Sequence, residues 1–149
     1  MPETLFPTGR WFEALAEAMR AEREAYKGLG SIDCAMVVKV LLEGGRERLV
    51  EVVFEGFGAR SVRELASLEE AAPSYFVIEG SLATWREMIE NIRAHGEPDL
   101  RHTLNYLTLP DDPMRVSGPD QLSVDAFYRF NESLQRFFNA SSRLPTAYA

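Results

Sequence analysis

The sequence predicts an α+β domain in which one mostly antiparallel sheet lies beneath several helices. Three observations carry that reading. From Tyr75 to Ile92 the run Y-F-V-I-E-G passes within two residues into L-A-T-W-R-E-M-I-E-N-I, so a strand feeds directly into a helix with a wide apolar face. Between Ile32 and Glu55, two β-branched runs, C-A-M-V-V-K-V-L-L-E and R-L-V-E-V-V-F-E, flank Gly44-Gly45 and predict a hairpin. Toward each end of the chain, apolar residues recur at helical spacing.

Taken in order, Thr8 can cap a helix from about Gly9 to Lys27. Its apolar side carries Trp11 or Phe12, Leu15, Ala18 or Met19, and Tyr26, and Gly28 and Gly30 end it. After the hairpin, Gly56 and Gly58 allow a bend, and R-S-V-R-E-L predicts a third strand, with a short helix over R-E-L-A-S-L-E-E as the alternative. The strand that begins at Tyr75 is apolar on both sides, Phe76 and Ile78 on one and Tyr75 and Val77 on the other, as expected of a strand buried on both faces. Ser81 or Thr84 caps the next helix, Thr84 with Glu87 as a capping box, and Leu82, Trp85, Met88 or Ile89, and Ile92 form its stripe up to the stop at Gly96.

Asp99 then caps a shorter helix bearing Leu100, Thr103 or Leu104, and Leu107, which L-P-D-D-P breaks. Met114 to Ser117 predicts a short strand, and Gly118-Pro119-Asp120 turns into an amphipathic helix over about 120–139. Phe127, Phe130, Leu134 and Phe137 or Phe138 share one face of that helix. The tail S-S-R-L-P-T-A-Y-A is expected to fray.

A length of 149 residues suits a single domain over 1–149 with a core that needs no disulfide or metal. A net charge of −7 argues against nucleic-acid binding and against stable membrane insertion, since phosphate and anionic headgroups select clustered Lys and Arg. Cys34 is the sole cysteine, which excludes an internal disulfide and a Cys-based zinc site and suits a cytoplasmic setting. The N-terminus lacks the basic start and apolar run of a signal peptide.

The residues that could carry chemistry have simpler readings. His95 and His102, seven apart across a helix break, do not form a metal-binding pair; His95 reads as a polar group near a helix C-terminus and His102 as a surface residue. Asp111-Asp112 fits turn chemistry, and Cys34 begins an apolar strand as a core thiol. The glycine pairs complete no dinucleotide or phosphate-loop fingerprint, and no Ser, His and Asp set is visible. No catalytic residue, metal or cofactor is therefore assigned, and an enzyme is not expected. That expectation would change if His102 and an acidic residue met inside a cavity.

The helices of Trp85, Leu104 and Phe130 offer three apolar faces to one modest sheet. A ligand cavity, an interface with a second copy or a partner protein, or a plain core would each cover them, and the residues alone leave all three open.

The succession of strand, Gly-Ser, L-A-T-W-R-E-M-I, a leucine-bearing helix, and M-R-V-S-G-P-D-Q-L leading into an amphipathic helix resembles the sterol carrier protein 2 sterol-binding domain family over most of the chain. The resemblance implies a five-stranded sheet and helices enclosing a hydrophobic tunnel that binds fatty acid, acyl-CoA, sterol or other lipid without catalysis. It puts Trp85, Met88, Ile89 and Ile92 on one wall, Leu104 and Leu107 beside them, and Phe127, Phe130 and Leu134 on the closing helix. Arg101, His102 and Arg129 become headgroup contacts. The long N-terminal helix and the extended aromatic C-terminal helix depart from the family and alter the tunnel mouth. The expectation is a non-enzymatic carrier of a hydrophobic small molecule; the alternative is an accessory or dimerisation module whose C-terminal aromatic helix binds a partner.

Overall fold

The computed structural model describes residues 2–149. The chain runs β1 (Thr4–Phe6), α1 (Gly9–Ala21), α2 (Arg23–Leu29), β2 (Cys34–Leu41), β3 (Glu47–Glu55), β4 (Gly58–Leu65), β5 (Tyr75–Ser81) and α3 (Leu82–His95). It continues through α4 (Leu104–Leu107), β6 (Arg115–Ser117), α5 (Gln121–Arg129), α6 (Asn131–Asn139) and β7 (Thr146–Tyr148). Five strands form one sheet in the order β4-β3-β2-β5-β6. Its neighbours are antiparallel except β2 and β5, so the sheet is mixed. The parallel pair arises because β3, β4 and the 66–74 loop together serve as the crossover that parallel neighbours require.

The hairpin turn uses Gly44 at φ 72° and Gly45 at φ 75°, left-handed conformations that glycine adopts without a Cβ clash. Register follows the period of two: Met36, Val38, Val40, Val50, Val52, Phe54, Phe76 and Ile78 join the main core under the helices. Val37, Leu49, Leu65 and Val77 form a smaller cluster on the opposite face, with Leu68 and Ala71 of the 66–74 loop packed on it. β5 is thus buried on both faces, as its sequence predicts. On the smaller face Glu51 is buried yet satisfied, accepting from Arg63 Nε at 2.9 Å and from the Ala72 N–H at 2.7 Å, which ties the loop to the sheet.

Several local expectations change. The N-terminal helix over about 9–27 is two helices broken at Glu22 (φ −107°, ψ 29°). The Glu22 carboxylate, bonded by Arg143 at 2.8 Å and Arg136 at 3.4 Å, is held below the usual carboxylate range by those guanidiniums. Ser81, not Thr84, caps α3 by accepting the Thr84 N–H. The helix expected after Asp99 divides, because Asp99 caps a 3-10 turn over Leu100–His102 and Thr103, in extended conformation, caps α4 afresh. The helix over about 120–139 breaks at Phe130 (φ −104°, ψ 16°) into α5 and α6.

The tail does not fray. Ala140–Arg143 forms a 3-10 turn, and β7 pairs in parallel with β1, placing Thr4 beside Thr146 and Phe6 beside Tyr148. The buried Trp11 indole donates from Nε1 to Thr146 Oγ1 at 3.0 Å. Both strands are three residues long, too short for either to be recognised from its own pattern.

Candidate functional site: a packed interior behind an open cleft

The residues expected to line a tunnel are brought together. Trp85, Met88, Ile89 and Ile92 come from α3, Leu104 and Leu107 from α4, Phe127 from α5 and Leu134 from α6, and all eight sit in the main core. Phe130, at the break between α5 and α6, is only half-buried and packs against the cluster from its edge. The helical spacing of each stripe explains why these side chains face inward from four separate helices.

Their interior is packed. Trp85, Met88, Ile89, Ile92, Leu104, Phe127 and Leu134 each have 0% accessible surface, so no void wide enough for a water lies against them in this conformation. The space is filled by aromatic rings from β1, α1, β5 and α6. Trp85 lies 5.6 Å from Phe138 and 6.2 Å from Phe6 in tilted geometry, and Phe12 meets Phe138 edge-on at 6.2 Å. Phe127 meets Phe76 edge-on at 5.8 Å. The surplus of apolar helix faces is thus absorbed by a second aromatic layer, to which β1 contributes Phe6 and α1 contributes Trp11 and Phe12.

A cleft of about 600 Å³ opens beside this interior, where the end of β5 and the start of β6 meet the start of α3. Thr108 to Met114 form one side, and Glu79, Thr84, Arg115 and Tyr128 are also on its lining. Its floor is thin at Gly80, where an added Cβ would stand 3.2 Å from both Met114 Cγ and Trp85 Nε1. Gly80 and Met114 are buried residues of the cleft lining, and the Trp85 indole packs against Gly80. The abrupt Gly80-Ser81 junction was legible in sequence; the approach of Met114 to it was not. Gly80→Val should cost about 1–3 kcal/mol in urea unfolding, because the added methyls must push Met114 or the Trp85 ring aside.

A second cleft of about 330 Å³ lies between the start of β2 and α5, with Phe54 and Ala126 on its lining and Arg129, Asp33 and Asp120 as its charged groups. Of the three basic headgroup candidates, Arg129 borders this cleft, which has core residues on its lining. Arg101 is exposed on the 3-10 turn. His102 is already engaged: Nδ1 lies 2.6 Å from Asp99 Oδ1 and Nε2 lies 3.0 Å from Glu87 Oε1.

His102 does meet acidic residues, but at the surface, where Asp99 and Glu87 are 52% and 71% exposed, and not in the interior. His95 stands where expected, with Nδ1 3.1 Å from the Asn91 carbonyl in the last turn of α3. Burial, with the nearby Asp33 charge, pushes the Cys34 thiol up to about 12, which leaves it without appreciable thiolate at neutral pH. Among the described residues, no group of three His, Cys, Asp or Glu side chains could hold a metal, and no helix is long and apolar enough to cross a membrane.

No family model and no curated protein matches the chain. Solved structures do. The crystal structure of sterol carrier protein 2 superposes with a TM-score of 0.67 at 16% identity, covering 92% of this chain and 97% of that one. The solution structure of a conserved hypothetical protein from Thermus thermophilus, suggested to be a sterol carrier protein, superposes with a TM-score of 0.63 at 17% identity, covering 90% and 87%. The five-stranded mixed sheet and the helices over it therefore have the fold of sterol carrier protein 2.

Proposed function

We propose that this protein binds and transfers a hydrophobic small molecule, of the fatty acid, acyl-CoA, sterol-like or other lipid class, without catalysing a reaction on it. The observation that carries the reading is the apolar interior of Trp85, Met88, Ile89, Ile92, Leu104, Leu107, Phe127 and Leu134 lying directly behind the cleft floored by Gly80 and Met114. The fold, shared with a protein named as a sterol carrier, supports it.

In the closed state the interior is filled by its own side chains, so uptake requires a rearrangement. Met114 is suited to yield, because its unbranched thioether changes rotamer at little cost. The ligand chain then replaces side-chain contacts and leaves water, gaining about 25 cal/mol per Å² of apolar area. Its polar end stays in the cleft among Thr84, Thr108 and Arg115. Phe130, half-buried at the helix break, is the least buried of the wall residues. The alternative of a partner docking on the C-terminal aromatic face has less to support it: Phe127, Phe137 and Phe138 are 0% exposed, which leaves Leu122, Tyr128 and the half-buried Phe130 as apolar contacts for a partner.

Tryptophan fluorescence tests the reading. In Trp11→Phe, Trp85 is the sole indole. A bromine-labelled fatty acid should quench its emission saturably, and Gly80→Val should weaken that quenching. Absence of quenching across fatty acids and sterols, together with no lipid extracted from freshly purified protein, would refute the carrier function.

A further inference from the structure

We propose that the segment from Asp99 to Met114 is a strap closed over the interior, and that His102, as an imidazolium ion, is the latch holding it to α3. The segment comprises the 3-10 turn, α4 and the loop that lines the cleft. Leu104 and Leu107 anchor it in the core, and the Leu107 carbonyl accepts the Met114 N–H at 3.0 Å, joining α4 to the residue that floors the cleft. The Leu104 N–H donates to Gln135 Oε1 on α6 at 2.7 Å. Movement of this strap would carry Met114 away from Trp85, so its consequence for ligand uptake rests on the carrier function, whereas the latch itself does not.

The argument for the latch is geometric. Both ring nitrogens of His102 face carboxylate oxygens, Asp99 on the strap and Glu87 on α3. Carboxylates only accept, and a neutral imidazole has one N–H, so it would set a lone pair against one of the two acids. Only the doubly protonated ring satisfies both. The remaining fastenings do not titrate near neutrality: Asn91 joins Asp99 through its side-chain amide at 2.8 and 3.0 Å, and Gln135 is likewise an amide.

The charged groups acting on the ring are Glu87 from α3 and Asp99 from the strap. α4, the other element packed on the turn, carries the titratable Tyr106, which is tied through its backbone N–H to Thr103. Hydrogen bonding to Glu87, then to Asp99, outweighs desolvation and raises the His102 pKa above the ordinary 6.5. The latch is therefore at full strength below the unfolded histidine's pKa and is lost as pH rises through the raised folded value. On the acid side, His102 holds Asp99 below the usual carboxylate range, so that contribution disappears only as pH falls through the lowered value. The acids are solvent-exposed, which makes the latch light and sensitive to salt.

The test combines an NMR titration of the His102 ring with amide hydrogen exchange over 104–109, on the full chain and on His102→Gln and Glu87→Gln. After correction for intrinsic base catalysis, strap exchange in the parent protein should rise about two- to fivefold as pH passes the His102 midpoint. The midpoint should lie above the ordinary histidine value and fall in Glu87→Gln, and the exchange step should vanish in His102→Gln while β2 and β5 keep their protection. A midpoint at or below the ordinary value, no step in the parent, or an equal step in His102→Gln would each overturn the latch. If His102→Gln does not fold, the midpoint and exchange step in the parent, and whether both shift together in Glu87→Gln, decide for or against the latch. Quenching of Trp85 by a brominated fatty acid at about pH 6 and about pH 9 separates the two proposals. Faster quenching at the higher pH supports the latch as a control on uptake, and no quenching at either pH overturns the carrier function alone.

Discussion

Replacing Trp85 with alanine will lower the unfolding free energy by about 3–5 kcal/mol, the cost of an aromatic-to-alanine truncation at a site that cannot collapse. The indole is fully buried, lies between Phe138 and Phe6, and approaches the Gly80 backbone. Since a domain of this kind is stable by only about 5–15 kcal/mol, the variant loses a large share of its reserve. Its midpoint in thermal unfolding should fall by about 6–20 °C, at about 2–4 °C per kcal/mol for this chain length. Urea unfolding followed by circular dichroism measures the loss. A change below about 1 kcal/mol would mean that the aromatic layer does not hold α3 and α6 together. The void left behind also offers a ligand readout: if the carrier function is right, a lipid chain should restore part of the lost stability by occupying the space.

Deleting Leu144–Ala149, the stretch that local sequence reads as a loose end, should cost about 3 kcal/mol or more. The deletion removes β7, strips β1 of its partner and takes away the acceptor of the buried Trp11 N–H. The orphaned donor alone costs about 1–3 kcal/mol. Tyr148 is lost as well; its ring lies 6.2 Å from Phe6 and beneath the Arg86 guanidinium at 4.9 Å, so the aromatic layer is opened from above. Thr146→Val keeps the shape while removing both the indole's acceptor and the hydroxyl's own bond to the Leu144 carbonyl at 2.8 Å, and should show the smaller share. A truncated chain as stable as the full one by urea unfolding would mean that the tail only rests on the surface.

The two experiments bracket what was legible beforehand. The β2–β3 hairpin could be read because β-branched alternation and Gly44-Gly45 lie within two dozen residues of one another. The junction of β5 and α3 could be read because the apolar period changes from strand to helix at Gly80-Ser81. The inward faces of α3, α5 and α6 followed from the same periodicity, and eight of the nine expected wall residues lie in the core for that reason. Phe130 departs because the helix expected to run through it breaks there, which turns its side chain to the edge. The engagement of Glu22 by Arg136 and Arg143, the pairing of β1 with β7 and the bridging of His102 by Glu87 join residues on separate elements. Periodicity carries no information about them.

Amino-acid order alone determined which residues would be apolar on one side of each strand and helix, and hence the α+β class, because that signal is local and repeats within a few residues. Whether those faces enclose a hollow or mesh with one another was decided only in three dimensions. Phe6 and Phe138 meet Trp85 and Phe12 packs on both of them, and the close packing of these rings leaves Trp85 without accessible surface. Volume is a property of the assembled side chains, which no single stretch of the chain contains.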